Sequence, residues 1–157
     1  TGGITGSPRD FRGLAGVSDL AVAGDSICAV AADGQILCWG ESGCLASTGT
    51  SSDVPTPLFD LRGAVQVQLS NCRGCARMSD GGVACWGESG LFIREPGSTS
   101  LTPQRVPNVM GATRIAMGWG QDEDCALTAG GKVWCWGGAD PGSSGGGCSG
   151  PSFYIPN

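Results

Sequence analysis

Short apolar segments occur in three similar groups along this chain of 157 residues. In each group, two short apolar segments flank a three-residue turn, which is Ala32-Asp33-Gly34, Ser79-Asp80-Gly81 or Ala129-Gly130-Gly131. Glycine in the third place suits the left-handed backbone that a three-residue hairpin loop requires there. The pattern therefore predicts three β-hairpins, and no stretch shows the period of a helix.

A cysteine pair fixes the register of each predicted hairpin. In every group a cysteine is followed ten positions later by Cys-Trp-Gly, which gives the pairs Cys28–Cys38, Cys75–Cys85 and Cys125–Cys135. With the three-residue turn as the loop, the two cysteines of a pair lie directly opposite each other. Opposed residues on antiparallel strands are roughly 4.5–5.5 Å apart at Cα, within the reach of a disulfide. The sequence therefore predicts three cross-strand disulfides.

Both faces of each hairpin are apolar. In the first hairpin, one face carries Cys28, Val30, Ile36 and Cys38, and the other carries Ala29, Leu37 and Trp39. A sheet with one face in water alternates apolar with polar residues, so a small sheet that is apolar on both faces needs a neighbour on each side. That is the situation of a propeller blade between two others. The three repeated tryptophans are accordingly predicted to form inter-blade core: Trp39, Trp86 and Trp136.

Each hairpin has a further strand on either side. Apolar segments precede the hairpins at 20–22, 65–69 and 114–117, and Pro-bearing segments follow them at 54–58, 103–107 and 153–156. The first cysteines of successive groups are 47 and then 50 residues apart, and a period of this length indicates a repeat architecture. We expect an all-β fold of three propeller-type blades, each with three to four antiparallel strands, as an incomplete propeller or a stacked array. The repeats fall at about 11–58, 59–107 and 108–157 of a single domain.

Composition narrows the partners and the compartment. The net charge of −5 without a basic stripe argues against nucleic acid as a partner. No run of 18 apolar residues occurs, so no membrane insertion is expected. Nine cysteines, six of them in opposed pairs, indicate an oxidising compartment, and we expect a secreted or cell-surface protein.

Catalytic chemistry is not expected from the residues present. The chain has no histidine, which excludes mixed Cys/His zinc sites and a Ser/His/Asp catalytic set. Asp33 and Asp80 recur in equivalent turns, so we assign their carboxylates to the turns and not to glycoside hydrolysis. We expect no enzymatic activity, no cofactor and no metal.

Three cysteines fall outside the repeat: Cys44, Cys72 and Cys148. We expect Cys44 and Cys72 on the same rim and bonded to each other, which leaves Cys148 for a bond to another copy of the chain. Alternatively, Cys148 bonds to Cys44 or Cys72, in the same chain or a neighbouring one. Cys72 and Cys75 also have the redox Cys-x-x-Cys spacing. They lead into a strand and not a helix, so redox catalysis is not predicted.

One loop supplies weak candidates for ligand binding: Trp119, Asp122, Glu123 and Asp124. Clustered carboxylates can bind calcium, but their spacing departs from the calcium-loop pattern, and a solvated acidic loop is the preferred interpretation. An exposed Trp119 beside carboxylates would suit a glycan or a protein partner, whereas burial of this side chain at a blade interface is the preferred alternative.

Two stretches resemble a known repeat. They are Cys28-Ala29-Val30 with residues 33–40, and Cys125-Ala126-Leu127 with residues 131–137. These stretches resemble repeats of the regulator of chromosome condensation family, and the Cys-Trp-Gly form resembles its branch in bacterial secreted and surface proteins. The resemblance implies a β-propeller of four-stranded blades, usually seven to a ring.

The chain departs from that family in ways that limit what carries over. It has three units, and Ser26, Arg73 and Glu123 stand where family members often carry a histidine. The Gly-Gln-Leu-Gly stretch expected after Trp-Gly is absent. The nucleotide-exchange activity known in the family, on a small nuclear GTPase, therefore cannot be transferred residue by residue.

Three blades leave an apolar face and open strand edges at each end, and such surfaces pair with other chains. Four arrangements resolve this: a six-bladed ring of two copies, a head-to-tail filament, a segment of a longer propeller, or a short stack covered by loops. We expect a self-associating structural module, such as a filament subunit. Phe153, Tyr154 and Ile155 would pair with the next copy, and Cys148 would form a disulfide between the two copies. The alternative is a propeller-type module that binds a protein or a glycan.

Overall fold

The computed structural model describes residues 14–40, 52–70, 73–87, 100–118 and 124–137. Within these ranges the chain forms eleven strands in three antiparallel sheets, which confirms the predicted all-β class. We call the sheets blades 1, 2 and 3. Blade 1 contains β1 (Asp19–Ala23), β2 (Ser26–Val30), β3 (Ile36–Gly40) and β4 (Ser52–Pro57). Blade 2 contains β5 (Ala64–Ser70), β6 (Arg73–Met78), β7 (Val83–Gly87) and β8 (Ser100–Arg105). Blade 3 contains β9 (Ala112–Met117), β10 (Asp124–Thr128) and β11 (Val133–Trp136).

The hairpin register agrees with the sequence prediction in all three blades. The paired cysteines are opposed and bonded, as Cys28–Cys38, Cys75–Cys85 and Cys125–Cys135. The third turn residue has positive φ each time, at 77° for Gly34, 78° for Gly81 and 76° for Gly131. Only glycine adopts this conformation without a steric penalty from Cβ, so the turn chemistry and the cysteine spacing select the same register.

The strands that flank each hairpin differ in character. The first strand of every blade pairs with the first strand of the hairpin, and β4 and β8 add to the other edge of blades 1 and 2. Pro55 and Pro57 lie in β4, and Pro103 lies in β8. Proline has no N–H to donate, and an edge strand tolerates this loss. The segment 153–156, predicted as the corresponding strand of blade 3, lies outside the described residues.

The blades stack face to face in chain order. Each blade has a cystine face, which carries the disulfide, and a tryptophan face, which carries the tryptophan of Cys-Trp-Gly. The cystine face of blade 1 packs on the tryptophan face of blade 2, where Val67, Ala76, Met78, Ala84 and Trp86 lie. The cystine face of blade 2 packs in the same way on blade 3, where Ile115, Ala126 and Trp136 lie. The hydrophobic core is thus divided between two equivalent interfaces, blade 1 with blade 2 and blade 2 with blade 3, which we call joints.

Candidate functional site

At each joint, the glycine of a hairpin turn contacts the backbone of the next blade. The carbonyl of Gly34 accepts a hydrogen bond from the N–H of Ala64 at 3.0 Å, and the carbonyl of Gly81 accepts one from Ala112 at 2.8 Å. A Cβ added to Gly34 would lie 2.8 Å from the nitrogen of Gly63. At Gly81, the added Cβ would lie equally close to the Cα of Gly111. Glycine is therefore required here by the close approach of the next blade as well as by its own φ.

At each joint, a polar side chain on the first strand of one blade also binds the backbone of the next blade. The Asp19 carboxylate in blade 1 accepts a hydrogen bond from the N–H of Val67 at 2.8 Å. In blade 2, Gln66 makes two such bonds to one residue: its Nε2 donates to the carbonyl of Ile115 at 3.1 Å, and its Oε1 accepts from the Ile115 N–H at 3.0 Å. Asp19 and Gln66 hold equivalent positions, so each joint has a side-chain clamp on the backbone of the next blade.

A buried ion pair spans the joint between blades 2 and 3. Arg73 Nη1 lies 3.2 Å from Asp124 Oδ2, and Arg73 Nη2 lies 3.4 Å from Oδ1. Both side chains are withdrawn from solvent, and Asp124 is wholly buried. Burial raises the pKa of Asp124 to about 6, although the Arg73 charge and the Gly118 N–H both act to lower it. Blade 1 has Ser26 where blade 2 has Arg73, so this ion pair belongs to one joint only.

This pairing corrects the expectation for Asp124. The sequence placed it with Asp122 and Glu123 in a solvated acidic loop and counted it as a weak ligand candidate. It is instead the first residue of β10, and its carboxylate is buried against Arg73. An uncompensated buried charge is costly, so the arginine from 51 residues earlier in the chain makes this burial tolerable.

The end of the stack at blade 3 exposes the face that the other blades bury. Leu127 and Val133 on this cystine face are 41% and 49% exposed. Their counterparts in blade 1, Val30 and Ile36, are completely buried. The Cys125–Cys135 disulfide is partly exposed here, whereas the other two disulfides are buried.

At the opposite end of the stack, part of the tryptophan face of blade 1 is exposed. Leu20 and Val22 on the tryptophan face of blade 1 are 59% and 58% exposed. Val67, which occupies the position of Leu20 in blade 2, is completely buried in a joint. Among the described residues, no further blade covers either end face. The two end faces are of the same two kinds, cystine and tryptophan, that meet in the internal joints.

The remaining predicted site residues divide into three groups. Trp86 and Trp136 are buried in the two joints, and Trp39 is buried on the end face of blade 1. Asp33 and Asp80 serve their turns, where they accept from the N–H groups of residues 35 and 82 at 3.1 and 2.8 Å. The following residues lie outside the described part of the chain: Cys44, Cys72, Cys148, Trp119, Asp122, Glu123, Phe153, Tyr154 and Ile155.

The polar residues of the joints, Asp19, Gln66 and Arg73, were not assigned a role from the sequence. Their only local signal is a polar residue near the start of a short apolar strand. The described ranges contain no group of three or more cysteine or acidic side chains placed to hold a metal ion. They also contain no helix with the length and apolarity needed to cross a membrane.

Similar architectures occur among solved structures. Human WBSCR16 matches 77% of this chain at 26% identity, with a TM-score of 0.65. Yeast RCC1 (Prp20), solved with Kap60, matches 81% at 20% identity and a TM-score of 0.61. Prp20p from Saccharomyces cerevisiae matches 76% at 23% identity and a TM-score of 0.56. No protein-family model and no curated protein sequence matches the chain.

The match covers only part of each of those structures. The chain spans about a third of their length, at 34%, 30% and 32% of the three chains. The order of the blades, their antiparallel strands and their face-to-face stacking agree with this similarity. The chain therefore has the RCC1-like repeat fold, represented here by three blades.

Proposed function

We propose that this chain is an extracellular, non-enzymatic assembly module whose copies associate through the two end faces of the blade stack. The cystine face of blade 3 in one copy packs on the tryptophan face of blade 1 in the next. One observation carries the proposal: the same pair of faces already forms two buried joints within the chain, and each unpaired face keeps exposed apolar side chains, Leu20 and Val22 in blade 1 and Leu127 and Val133 in blade 3. Because the two faces differ, the contact repeats in one direction and can build a filament.

The exposed side chains give this contact its driving force. Complete burial of a Leu or Val side chain contributes about 1.5–3 kcal/mol, so a half-exposed one has about 1 kcal/mol left to gain. Val133 is half exposed, so the single chain should tolerate a polar residue at this position. The proposed contact between copies should not tolerate it. An aspartate at this position would have to be desolvated on association, which costs several kcal/mol when it has no partner.

The disulfides support an extracellular setting. Three cross-strand disulfides form within the described residues, and two of them are buried in the joints between blades. Disulfides persist in secreted and surface proteins and are rare in reducing compartments. A module held together by them suits assembly outside the cell.

Sedimentation velocity over a concentration series tests the proposal. We expect the wild-type chain to form larger species as concentration rises, and Val133→Asp to remain monomeric. Val54→Asp is the matched control, because Val54 is 65% exposed on β4 and carries the same change in charge. Association of the control together with loss of association in Val133→Asp supports the proposal. A monomeric wild type at all concentrations refutes it.

A second candidate function is a propeller-type module that binds a different protein. One observation favours it: among the structures that share this fold, yeast RCC1 was solved bound to Kap60, and the Prp20p structure was studied with its binding to Gsp1p and histones. A chain that stays monomeric and binds a purified protein through the Val133 face would establish this function instead. Binding of the monomer to a glycan array would point to the glycan form of the same alternative.

A further inference from the structure

The turn of blade 3 presents a docking position that blades 1 and 2 already use. Gly131 is the counterpart of Gly34 and Gly81, with φ of 76° against 77° and 78°. A Cβ added to Gly34 or Gly81 would run into the backbone of the next blade, whereas one added to Gly131 meets no described atom within 4 Å. Gly131 thus has the geometry of a joint residue, and no described residue fills the space where the next blade would lie.

The opposite end of the stack carries the matching backbone. Gly63 and Gly111 receive the turns of blades 1 and 2, and both have positive φ, at 79° and 68°. Gly16 is their counterpart before blade 1, with φ of 70°. The residue after each of these glycines supplies the N–H of the joint in blades 2 and 3. In blade 1 that residue is Val17.

The clamp position of blade 3 is also occupied by a side chain that suits the joint. In each blade this position lies opposite the same residue of the hairpin: Asp19 pairs with Val30, Gln66 with Arg77, and Arg114 with Leu127. Arg114 is exposed. Its guanidinium only donates hydrogen bonds, so it can repeat the donor half of the Gln66 clamp.

Resting on the proposed function, we propose that two copies join in the register of the internal joints. The Gly131 carbonyl of one copy accepts a hydrogen bond from the Val17 N–H of the next. Arg114 donates to the backbone carbonyl of Leu20, which holds the position of Val67 and Ile115 in the other joints. In this arrangement the partner is a second copy of this chain, engaged through its first blade.

Gly131→Ala tests the register directly by sedimentation velocity. The added methyl group faces open space in the single copy and would overlap Gly16 of the next copy, as the other two joints show. We expect the association constant to fall by about tenfold or more, the usual effect of overpacking a tight contact. Gly130→Ala is the matched control, because Gly130 also faces open space but has no left-handed φ, and its effect should stay within about twofold.

Substitutions at Arg114 keep the test informative if Gly131→Ala disturbs the hairpin. We expect Arg114→Leu to weaken association by about threefold to tenfold, the contribution of one hydrogen bond, and Arg114→Gln to preserve it. Lys132→Gln removes the same charge as a control. Lys132 corresponds to Gly82, where an added Cβ would meet Arg105 of the same blade and not the next one.

The possible results distinguish a failure of the proposed register from a failure of the proposed function. Near-wild-type circular dichroism and a bonded Cys125–Cys135 pair show that each variant is folded. If the wild type associates and the Gly131 and Arg114 variants associate equally well, the proposed register is wrong while self-association stands. If the wild type does not associate, the proposed function fails, and the joint fails with it.

Discussion

Asparagine in place of Asp124 removes one titrating group from the joint between blades 2 and 3 and keeps the size of the side chain. The carboxylate is wholly buried, and burial raises its pKa from the ordinary value of 3.8 to about 6 despite the nearby Arg73. The variant therefore reports how this one proton affects stability. Wild type and Asp124→Asn share every other titrating group, so their difference isolates it.

The direction of the effect follows from where the proton binds more tightly. The pKa of Asp124 is higher in the folded state, so folding favours the protonated carboxyl. This contribution to stability is complete below pH 3.8 and is lost as the pH rises through about 6. The full change corresponds to about 3 kcal/mol, and roughly half of it falls between pH 5 and pH 8.

The assay is guanidinium chloride unfolding followed by tryptophan fluorescence at pH 5, 6 and 8. We expect the unfolding free energy of wild type, relative to that of Asp124→Asn, to rise by about 1–2 kcal/mol between pH 8 and pH 5. Asp80→Asn is the control: the Arg105 side chain and the Gly82 N–H lower the pKa of Asp80, so its effect appears only in more acidic solution. A constant difference from pH 5 to pH 8, or a relative loss for wild type on acidification, would refute the reasoning.

Packing at the joints gives two further predictions, both measured by chemical denaturation under conditions where the chain is monomeric. Gly74→Ala should cost about 1–3 kcal/mol, because the added Cβ would lie 2.5 Å from the Trp86 ring, whereas Gly130→Ala should change stability by less than about 0.5 kcal/mol. Equal effects would contradict the packing of Trp86. Replacing both cysteines of Cys75–Cys85 by alanine should cost more than the same change at Cys125–Cys135. Closing a ten-residue loop contributes about 3 kcal/mol in either case, and of these two disulfides only Cys75–Cys85 is buried in a joint. Equal losses would show that burial between blades adds no stability.

The hairpins were predictable because two independent local signals agree on them. A glycine in the third turn position and a cysteine pair ten residues apart each select one register, so Cys28 had to face Cys38. The apolar pattern on both faces also predicted that each blade has neighbours. These features depend on residues close together in the chain, where spacing fixes the geometry.

The joints were not predictable in the same way because their contacts are distant in sequence. Arg73 and Asp124 are 51 residues apart, and the contact from Gln66 to Ile115 spans 49. Local composition marked Asp124 as part of an acidic loop, and only the stacking of two blades shows that it faces an arginine. The exposed end faces likewise follow from comparing equivalent positions across blades, which requires the fold.

Native mass spectrometry of two complementary variants tests the central claim of head-to-tail association. Val133→Asp disables the cystine face of blade 3, and Val22→Asp disables the tryptophan face of blade 1, each at a half-exposed side chain. We predict that each variant alone is monomeric, since every contact would use the disabled face. Mixed in equal amounts, they should form a heterodimer and nothing larger, because one intact face of each remains. A mixture that stays monomeric while the wild type associates, or a single variant that dimerises by itself, would contradict the account.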